Sequence, residues 1–258
     1  MGRGVLHPAL AATGFRLSRH APSAALAPFV EFHWIVAWDR PGLPPFEQKI
    51  LPHPNVHLAF EHPGPAVHGV ERGLFIRRIE GTGHVLGVKF LPGGFRPFWG
   101  RPVSELTGRT VPAHAVLGPA ADGAGRAILA TTDESAMVAH AEALLLAARP
   151  EPDPLVAEVA GMVARIVADP GLTRVDALAG TLGVSARRLQ RLFSGYVGVS
   201  PKWVLRRARL HEAHERADHG LDLDWAALAA DLGYADQAHL TRDFTATIGV
   251  PPSRYAAG

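Results

Sequence analysis

The chain has 258 residues, a formal net charge of +2, 47% hydrophobic residues and no cysteine. This length is enough for two domains with ordinary hydrophobic cores, and the lack of cysteine excludes disulfides, thiolate metal sites and thiol nucleophiles. No apolar run reaches the roughly 18 residues that a transmembrane helix needs, and residues 1–15 show neither a long apolar core nor a clear cleavage site. We therefore expect a cytoplasmic protein that does not insert into a membrane.

The first 150 residues have the pattern of a β-rich domain. Short segments rich in apolar residues are separated by clusters of proline and glycine, and some of them alternate apolar and polar residues as half-buried strands do. The predicted strands are Phe29–Trp38, Val56–Glu61, Gly73–Ile79 and His84–Phe90. Residues 133–148 have helical periodicity and good helix formers. We predict a β-rich domain over residues 1–147 that ends in a flanking helix.

Histidines and aromatic residues of this region have two interpretations each. The sequence has 14 histidines, and a metal site could use His53, His57, Glu61, His62, His68 and His84. However, the His53 to His57 spacing suits a helix, whereas this stretch has the pattern of a loop followed by a strand. We therefore favour ordinary surface or hydrogen-bonded histidines and expect no metal and no cofactor. The following aromatic side chains either line an apolar pocket or, as we favour, belong to the core: Trp34, Trp38, Phe90, Phe95, Phe98 and Trp99.

A linker follows over residues 148–154, because three prolines in this short stretch exclude a continuous helix. Beyond it, two stretches repeat one pattern, Leu178–Pro201 and Leu228–Pro252. Both contain a small residue after the first leucine, a Leu-Gly pair, Leu-x3-Phe and Gly-Val-x-Pro. The offset is 50 up to the Leu-Gly pair and 51 afterwards, so the second copy has one extra turn residue. The repeat predicts a duplicated helix-turn-helix.

The spacing of the first copy separates a buried face from an exposed one. Gly183 ends the first helix, and Ser185 can cap the second. At about 100° per residue, the buried stripe of that second helix is Leu189, Leu192 and Phe193. The side chains turned the other way are Arg187, Gln190, Arg191 and Ser194. Arginine and glutamine carry the planar donors and acceptors that match guanine and adenine edges in the major groove.

In the second copy, Leu240 and Phe244 are predicted to be buried. This leaves on or near the exposed side Gln237, Ala238, Thr241 and Arg242, with His239 at the flank. Ala238 offers only methyl contact, and Asp236 adds a charge of the same sign as DNA. We therefore expect the second unit to contribute less to base reading.

Between the copies, residues 201–217 form a predicted helix with proline at its first position. Its inward residues are Val204, Leu205, Ala208 and Ala213. Its cations, mostly outward, are Lys202, Arg206, Arg207, Arg209 and Arg216. About 17 residues at about 1.5 Å each span about 25 Å, enough to hold two recognition helices about one DNA turn apart.

The charge of this region is uneven. Residues 185–216 have 8 basic and 2 acidic side chains, whereas residues 217–258 have 2 basic and 6 acidic. The first unit and the connecting helix should therefore supply most of the attraction to phosphates, and binding should weaken steeply with salt.

The patterns GVSARRLQRLF-x5-GVSPKWV and LAADLGYADQAHLTRDF-x4-GVPPSRY resemble the DNA-binding domain of the AraC/XylS family of transcription regulators. The resemblance covers about residues 155–255 and implies two helix-turn-helix units joined by a long helix. It also implies that groove-facing positions are held by Arg187, Gln190 and Arg191 in the first unit and by Gln237, Ala238, His239 and Arg242 in the second. Residues 51–61 and 87–112 are similar to the cupin-like sensor domain that precedes some AraC-type domains.

The expected fold class is therefore α+β with two domains, a cupin-like barrel with a flanking helix over 1–147 and an all-α DNA-binding domain over 155–258. The expected function is a sequence-specific transcription regulator that places its recognition helices in two successive major grooves and is modulated by the N-terminal domain. The complete predicted DNA-binding set is Arg187, Gln190, Arg191, Ser194, Lys202, Arg206, Arg207, Gln237, Ala238, His239, Thr241 and Arg242.

Double-stranded DNA is the expected partner. A small-molecule effector of the N-terminal domain, RNA polymerase and a second copy of the chain are further candidates. One alternative is a cupin-like enzyme fused to a DNA-targeting domain, but the sequence offers it no convincing ligand set and no nucleophile with its base. A second alternative, protein docking through the helical domain, leaves the exposed Arg and Gln face without a role. The lack of cysteine also excludes the alkyl-accepting DNA repair that some proteins with similar DNA-binding domains perform.

Overall fold

The computed structural model describes Leu6 and residues 14–219 and 223–256, with the backbone alone for His219. The expectation about residues 1–15 falls mainly on residues 1–5 and 7–13, which lie outside the described part of the chain. Among the helices that are described, none is both long and apolar enough to cross a membrane.

The N-terminal part is built on antiparallel strands. They are β1 (Phe15–His20), β2 (Val30–Arg40), β3 (Phe46–Ile50), β4 (His57–Phe60), β5 (Ala66–His68), β6 (Phe75–Ile79), β7 (Gly81–Phe90) and β8 (Thr110–Pro112). Six of them form one sheet in the order β1-β2-β7-β4-β5-β8, and β3 pairs with β6 in a second sheet. The strands β2, β4, β6 and β7 overlap the four predicted strands. The β-rich N-terminal part is therefore confirmed, while the cupin-like barrel stays a prediction.

Helices cover one face of the six-stranded sheet. They are α1 (Arg96–Trp99), α2 (His114–Leu117), α3 (Ala120–Leu129) and α4 (Glu134–Ala147), with a 3-10 turn at Val103–Leu106. The helix predicted over residues 133–148 is α4, and its first turn is capped by the Asp133 carboxylate, which accepts from the backbone N–H of Ser135 at 2.9 Å. Alternate residues of β2 and β7, such as Ile35, Leu86 and Val88, pack with the inner faces of α3 and α4 in one core.

The aromatic residues divide between this core and the opposite face of the sheet. Phe90 and Phe95 are buried, and Phe98 and Trp99 pack against them, so the core interpretation is confirmed for these four. Trp34 and Trp38 are half-buried. Each lies over a glycine of β7, where a Cβ would be 2.0 Å from the Trp34 ring and 2.6 Å from the Trp38 ring.

The C-terminal part is helical. Its elements are α5 (Pro154–Ala168), α6 (Val175–Thr181), α7 (Ala186–Leu192), a π-helical segment (Phe193–Val197), α8 (Pro201–His219), α9 (Trp225–Asp231), α10 (Gln237–Ile248) and α11 (Pro252–Ala256). Residues 148–153 contain neither helix nor strand. The domain boundaries at 147 and 155 stay a prediction.

The two parts of the chain are packed together. Val70 lies in the core formed by α5 to α8, and Leu6 and Leu51 lie in the core formed by α8 to α11. Apolar side chains of the N-terminal part thus complete cores of the helical part. The N-terminal part is therefore in contact with the helices that carry the predicted DNA-binding residues.

Candidate nucleic-acid interface

The two predicted turns have the same backbone hydrogen bonds. The N–H of Val184 donates to the carbonyl of Ala179 at 3.0 Å, and the N–H of Tyr234 donates to the carbonyl of Ala229 at 2.9 Å. In each Leu-Gly pair the glycine has a left-handed φ, 65° in the first copy and 67° in the second. The duplicated helix-turn-helix is confirmed by this match.

The second helix of each unit begins with a side-chain cap. The Ser185 hydroxyl accepts from the N–H of Arg188 at 3.2 Å, and the Asp236 carboxylate accepts from the N–H of His239 at 2.6 Å. The turn glycines of the two units are 50 residues apart, whereas the caps are 51 residues apart. The extra residue of the second copy therefore lies in its turn, between the glycine and the cap. Asp236 thus stabilises the start of the recognition helix, where its negative charge also interacts favourably with the helix dipole.

The recognition helix of the first unit, α7, has the predicted orientation. Leu189 and Leu192 are buried, as is Phe193 at the start of the π-helical segment that follows. The predicted Arg187, Gln190 and Arg191 are among the exposed side chains of α7, and Ser194 is exposed in the π-helical segment. The Ser194 hydroxyl also donates to the hydroxyl of Ser104 in the N-terminal part at 3.4 Å.

The recognition helix of the second unit, α10, buries Leu240 and Phe244 as predicted. Of the residues predicted to face DNA, Gln237, Ala238, His239 and Arg242 are exposed, and Thr241 is half-buried. The His239 ring contacts the edge of the Tyr234 ring, with ring centroids 5.1 Å apart. Base contact by either set of side chains stays a prediction, whereas their orientation is as the helical periodicity indicates.

A buried polar network that the sequence analysis missed holds α10 to α8. Asp243 on α10 is 6% exposed and forms an ion pair with the Arg206 guanidinium. Its other oxygen accepts from the Tyr234 hydroxyl at 2.9 Å, and the Arg209 guanidinium lies 4.3 Å from the Tyr234 ring centroid. Hydrogen bonding to Asp243 raises the pKa of Arg206, and burial, together with the Asp243 charge, raises the pKa of Tyr234.

A signal for this network was present in the repeat. At the offset of 51, Asp243 corresponds to Leu192, which is buried in the first copy. An acidic residue at a position predicted to be buried requires a buried partner. The predicted phosphate contact of Arg206 therefore competes with a strong internal ion pair, although half of the Arg206 side chain remains exposed, at 48%.

The outward orientation predicted for Arg207 is wrong. Arg207 is 3% exposed, donates to the backbone carbonyl of Arg72 at 2.6 Å and lies over the Trp203 ring at 4.6 Å. Burial lowers its pKa to about 10. The physical reason is that the N-terminal part packs against this face of α8. The sequence of the helix alone contains no sign of this contact. In this arrangement Arg207 is not available to a phosphate.

The predicted core residues of α8 are confirmed, whereas its cations differ in exposure and in ion pairing. Val204, Leu205, Ala208 and Ala213 are buried as predicted. Arg216 forms ion pairs with Glu212 at 2.8 Å and Asp231 at 3.1 Å. Arg188 on α7 pairs with Glu158 at 3.0 Å. Of the eight cations in residues 185–216, those that are exposed and form no ion pair within the described chain are Arg187, Arg191 and Lys202.

Polar contacts also join the N-terminal part to the first unit and to α8. The Thr107 hydroxyl donates to the carbonyl of Gly198 at 2.6 Å. The His53 and His211 rings are stacked, with centroids 4.0 Å apart and planes 7° apart. The His211 Nε2 lies 3.3 Å from the Pro52 carbonyl oxygen, and burial lowers the pKa of His211 well below its usual value.

Gly198 fits closely against the N-terminal part. It has a φ of 93°, and Gly249 has a φ of 91° in the second unit, a left-handed conformation that favours glycine at both turns. A Cβ at Gly198 would lie 2.9 Å from the Thr107 hydroxyl oxygen and 3.1 Å from Val103, whereas at Gly249 it would meet no described atom within 4 Å.

A groove of about 450 Å³ lies between the N-terminal part and the first unit. Arg72 and Ser104 line one side of it, and Gln190, Ser194, Ser200 and Trp203 line the other. Two residues predicted to contact DNA therefore face this groove together with an arginine from outside the helical part.

The histidines considered as metal ligands lie in different surroundings. His57 accepts from the Trp34 indole N–H at 3.4 Å, and burial lowers its pKa to about 3. His84 lies 3.3 Å from the carbonyl oxygen of Ile128, and His53 stacks on His211. Glu61 pairs with Arg77 at 2.7 Å. Within residues 14–219 and 223–256, no group of three or more His, Asp or Glu side chains is placed to hold a metal ion.

Comparisons with known proteins follow the division seen in the fold. Residues 178–258 match the model of a helix-turn-helix domain family, and residues 18–112 match a domain of unknown function, DUF6597. A search of curated protein sequences gave no match.

Several solved structures are similar to this chain. The C-terminal domain of AraT, a response regulator from Geobacillus stearothermophilus, has 23% identity over 41% of this chain and 85% of that domain, with a TM-score of 0.36. An apo form of ToxT from Vibrio cholerae, carrying a single substitution, has 13% identity over 95% of this chain and 97% of its own, with a TM-score of 0.40. ToxT bound to (E)-4-(8-methylnaphthalen-1-yl)but-3-enoic acid has 12% identity over 95% and 99%, with a TM-score of 0.41.

Matched turns, side-chain caps and an exposed Arg and Gln face, in a region that matches a helix-turn-helix family, define a DNA-binding protein. Two such units joined by one long helix make the helical part a domain of the AraC type. Residues 178–258 are therefore a helix-turn-helix domain of the AraC type.

Proposed function

We propose that the chain is an AraC-type DNA-binding transcription regulator. In this proposal α7 and α10 enter two successive major grooves on one face of a DNA duplex. Arg187, Gln190 and Arg191 contact bases from the first unit, and Gln237, Ala238, His239 and Arg242 do so from the second. The observation that carries this proposal is that two units with the same turn geometry both expose the face opposite their buried leucine and phenylalanine. Recognition helices joined by a fixed connecting helix are expected to read half-sites about one DNA turn apart.

Contacts to the DNA backbone come from a smaller set than the sequence indicated. We assign them to Lys202 and Ser194, which are exposed, to Thr241, and to the exposed half of Arg206. Arg207 is left out because its guanidinium is enclosed by Arg72 and Trp203. The salt dependence of binding should then reflect few phosphate contacts from the helical part.

The test is selection of bound duplexes from random DNA with the full-length chain. We expect a two-part site with conserved blocks about 10 base pairs apart, and stronger conservation in the block read by the first unit. Variants Arg191→Ala and Arg242→Ala assign the blocks, since each should lose selection in its own block. Recovery of no enriched sequence at low salt would refute the proposal.

We further propose that the N-terminal part modulates DNA binding. Support comes from its contacts with α8 and the first unit, among them Arg207 to Arg72, His211 to Pro52 and Thr107 to Gly198. A ligand or a partner that favours a different packing of the two parts would change the position of the recognition helices. A small-molecule effector, RNA polymerase and a second copy of the chain are the candidates for this role, in a cytoplasmic setting.

The test of modulation is a thermal-shift screen of metabolites against the full-length chain, followed by DNA binding with each hit. We expect a hit that changes both the melting temperature and the DNA affinity. No observation in the described residues favours the alternative of a metal-dependent enzyme, and we propose a regulator without catalytic activity.

A further inference from the structure

We propose that Arg72 of the N-terminal part belongs to the DNA interface, and that the groove between it and the first unit holds the sugar-phosphate backbone of the bound duplex. This inference rests on the proposed function, since it requires α7 to enter the major groove. It adds a DNA contact from outside the helix-turn-helix domain.

The first observation is that the groove is continuous with the exposed face of the first unit that we propose contacts bases. Gln190 and Ser194 lie on the exposed face of the first unit and also line the groove. Ser200, at the start of α8, lines it as well. A helix that reads bases in the major groove is flanked by the two phosphate backbones, and hydroxyl and amide side chains at its edge commonly contact them. The groove therefore lies where a backbone would pass.

Charge complementarity is the second observation. Arg72 is exposed and forms no ion pair with any described residue. No acidic side chain is among the described residues that line the groove. Arginine presents a planar set of donors that suits phosphate oxygens, so a polyanion is the occupant that this lining fits.

The fixed backbone of Arg72 is the third observation. Its carbonyl accepts from Arg207, and the Arg207 guanidinium packs on Trp203, which also lines the groove. The buried Arg207 thus anchors the segment that carries Arg72 to α8. A side chain on an anchored backbone loses less conformational freedom when it binds a phosphate.

Several cations of the first unit and of α8 are already used inside the protein, so a phosphate contact from Arg72 would add to a small set. Arg188, Arg206 and Arg216 are in internal ion pairs, and Arg207 is buried. An added phosphate contact from Arg72 would compensate in part for cations used inside the protein. It would also make DNA affinity depend on how the N-terminal part packs against α8.

The experiment measures binding of the full-length chain to a selected duplex and to a random duplex between about 50 and 200 mM salt. For Arg72→Ala we expect weaker binding to both duplexes by the same factor, and a decrease of about one in the slope of log affinity against log salt. The ratio of wild-type to Arg72→Ala affinity should therefore fall by about three- to fourfold as the salt concentration rises over this range. Arg72→Lys should keep the wild-type slope, and Arg72→Glu should bind less tightly than Arg72→Ala.

The matched control is Arg126→Ala, which removes an exposed arginine of the N-terminal part that does not line the groove. Its salt slope should equal that of the wild type. Arg72→Lys and Arg72→Glu retain a long side chain, so they can be compared even if Arg72→Ala is unstable. A wild-type salt slope for Arg72→Lys together with a smaller slope for Arg72→Glu supports the proposal. Equal slopes for Arg72→Ala, Arg72→Glu and wild type would overturn it.

Inorganic phosphate distinguishes a duplex from a small anion in the groove. If phosphate raises the melting temperature of the wild type but not of Arg72→Ala, while both have the same DNA salt slope, the groove is a small-anion site and the proposal is wrong. Arg191→Ala, measured on the same two duplexes, reports on the proposed function separately. If Arg191→Ala loses discrimination between the duplexes while Arg72→Ala retains the wild-type slope, the further inference alone fails.

Discussion

The two helix-turn-helix units have the same turn and capping geometry, but they hold their recognition helices in place by different means. In the first unit, Leu192 packs into an apolar core. In the second, the corresponding Asp243 binds Arg206 and Tyr234 in a buried polar network. The backbone pattern therefore specifies the motif, while the side chain at one buried position decides whether apolar packing or an ion pair connects it to α8.

The outer faces of the units differ as well. At corresponding positions, the first unit has Arg187 where the second has Ala238, and Gln190 where the second has Thr241. Side chains that can form two hydrogen bonds to one base are thus concentrated in the first unit. The difference indicates that the first unit supplies most of the discrimination and the second mainly extends the contact.

The largest effect is expected when the polar network of the second unit is broken. Asp243→Ala leaves Arg206 without its partner and the Tyr234 hydroxyl without an acceptor, so we expect the free energy of unfolding to fall by about 3 kcal/mol. The measurement is urea unfolding followed by circular dichroism. Arg242→Ala, at the exposed neighbouring position, is the control and should change stability by less than about 0.5 kcal/mol. A similarly small change for Asp243→Ala would mean that the network does not connect α10 to α8.

A smaller effect is expected on DNA affinity when the corresponding arginines of the two units are compared. Arg191→Ala should cost about 2 kcal/mol on the selected duplex and relax specificity, because its bidentate base contact is lost. Arg242→Ala should cost less than about 1 kcal/mol. Both are measured by fluorescence anisotropy at one fixed salt concentration. Equal losses in the two variants would remove the proposed asymmetry between the units.

The smallest effect concerns the pH dependence of the contact between the N-terminal part and α8. Burial keeps the pKa of His211 well below the ordinary value of 6.5, where the unfolded chain titrates. The unfolded chain therefore binds a proton that the folded chain does not, and stability falls as pH decreases below about 6.5. The charged or titratable groups that face His211 are His53, Arg207 and His214.

This pH dependence is checked by urea unfolding between about pH 8 and pH 5. His211→Asn should lose less stability over this range than the wild type, while the remaining loss reflects the lowered pKa of His33, His57 and His68. His140→Asn, at an exposed position of the N-terminal part, is the control and should follow the wild type. An identical pH dependence for His211→Asn and wild type would exclude a contribution from this contact.

The sequence was sufficient for features that depend on near neighbours along the chain. The turn glycines, the Ser185 cap and the buried stripes of α7 and α10 follow from spacing, because their partners lie within a few residues. The exposed faces of both recognition helices were predicted for the same reason.

Features that depend on distant partners were missed. Arg207 contacts a carbonyl 135 positions away, and Arg206 contacts an acid 37 positions away, so the periodicity of α8 could not show that either was engaged. The short strands β5 and β8 and the edge strands β1 and β3 were also missed. Three-residue strands such as β5 and β8 give too few residues to establish an alternating pattern.

Gly198 has a consequence for exchanging parts of this protein with those of relatives. Thr107 and Val103 leave no room for a side chain at position 198. The contact between the first unit and the N-terminal part therefore requires glycine there. Gly249 meets no such neighbour among the described atoms. A chimera with the second unit of a relative therefore keeps the Gly198 contact. A chimera with the first unit of a relative keeps it only if that unit has glycine at the corresponding position.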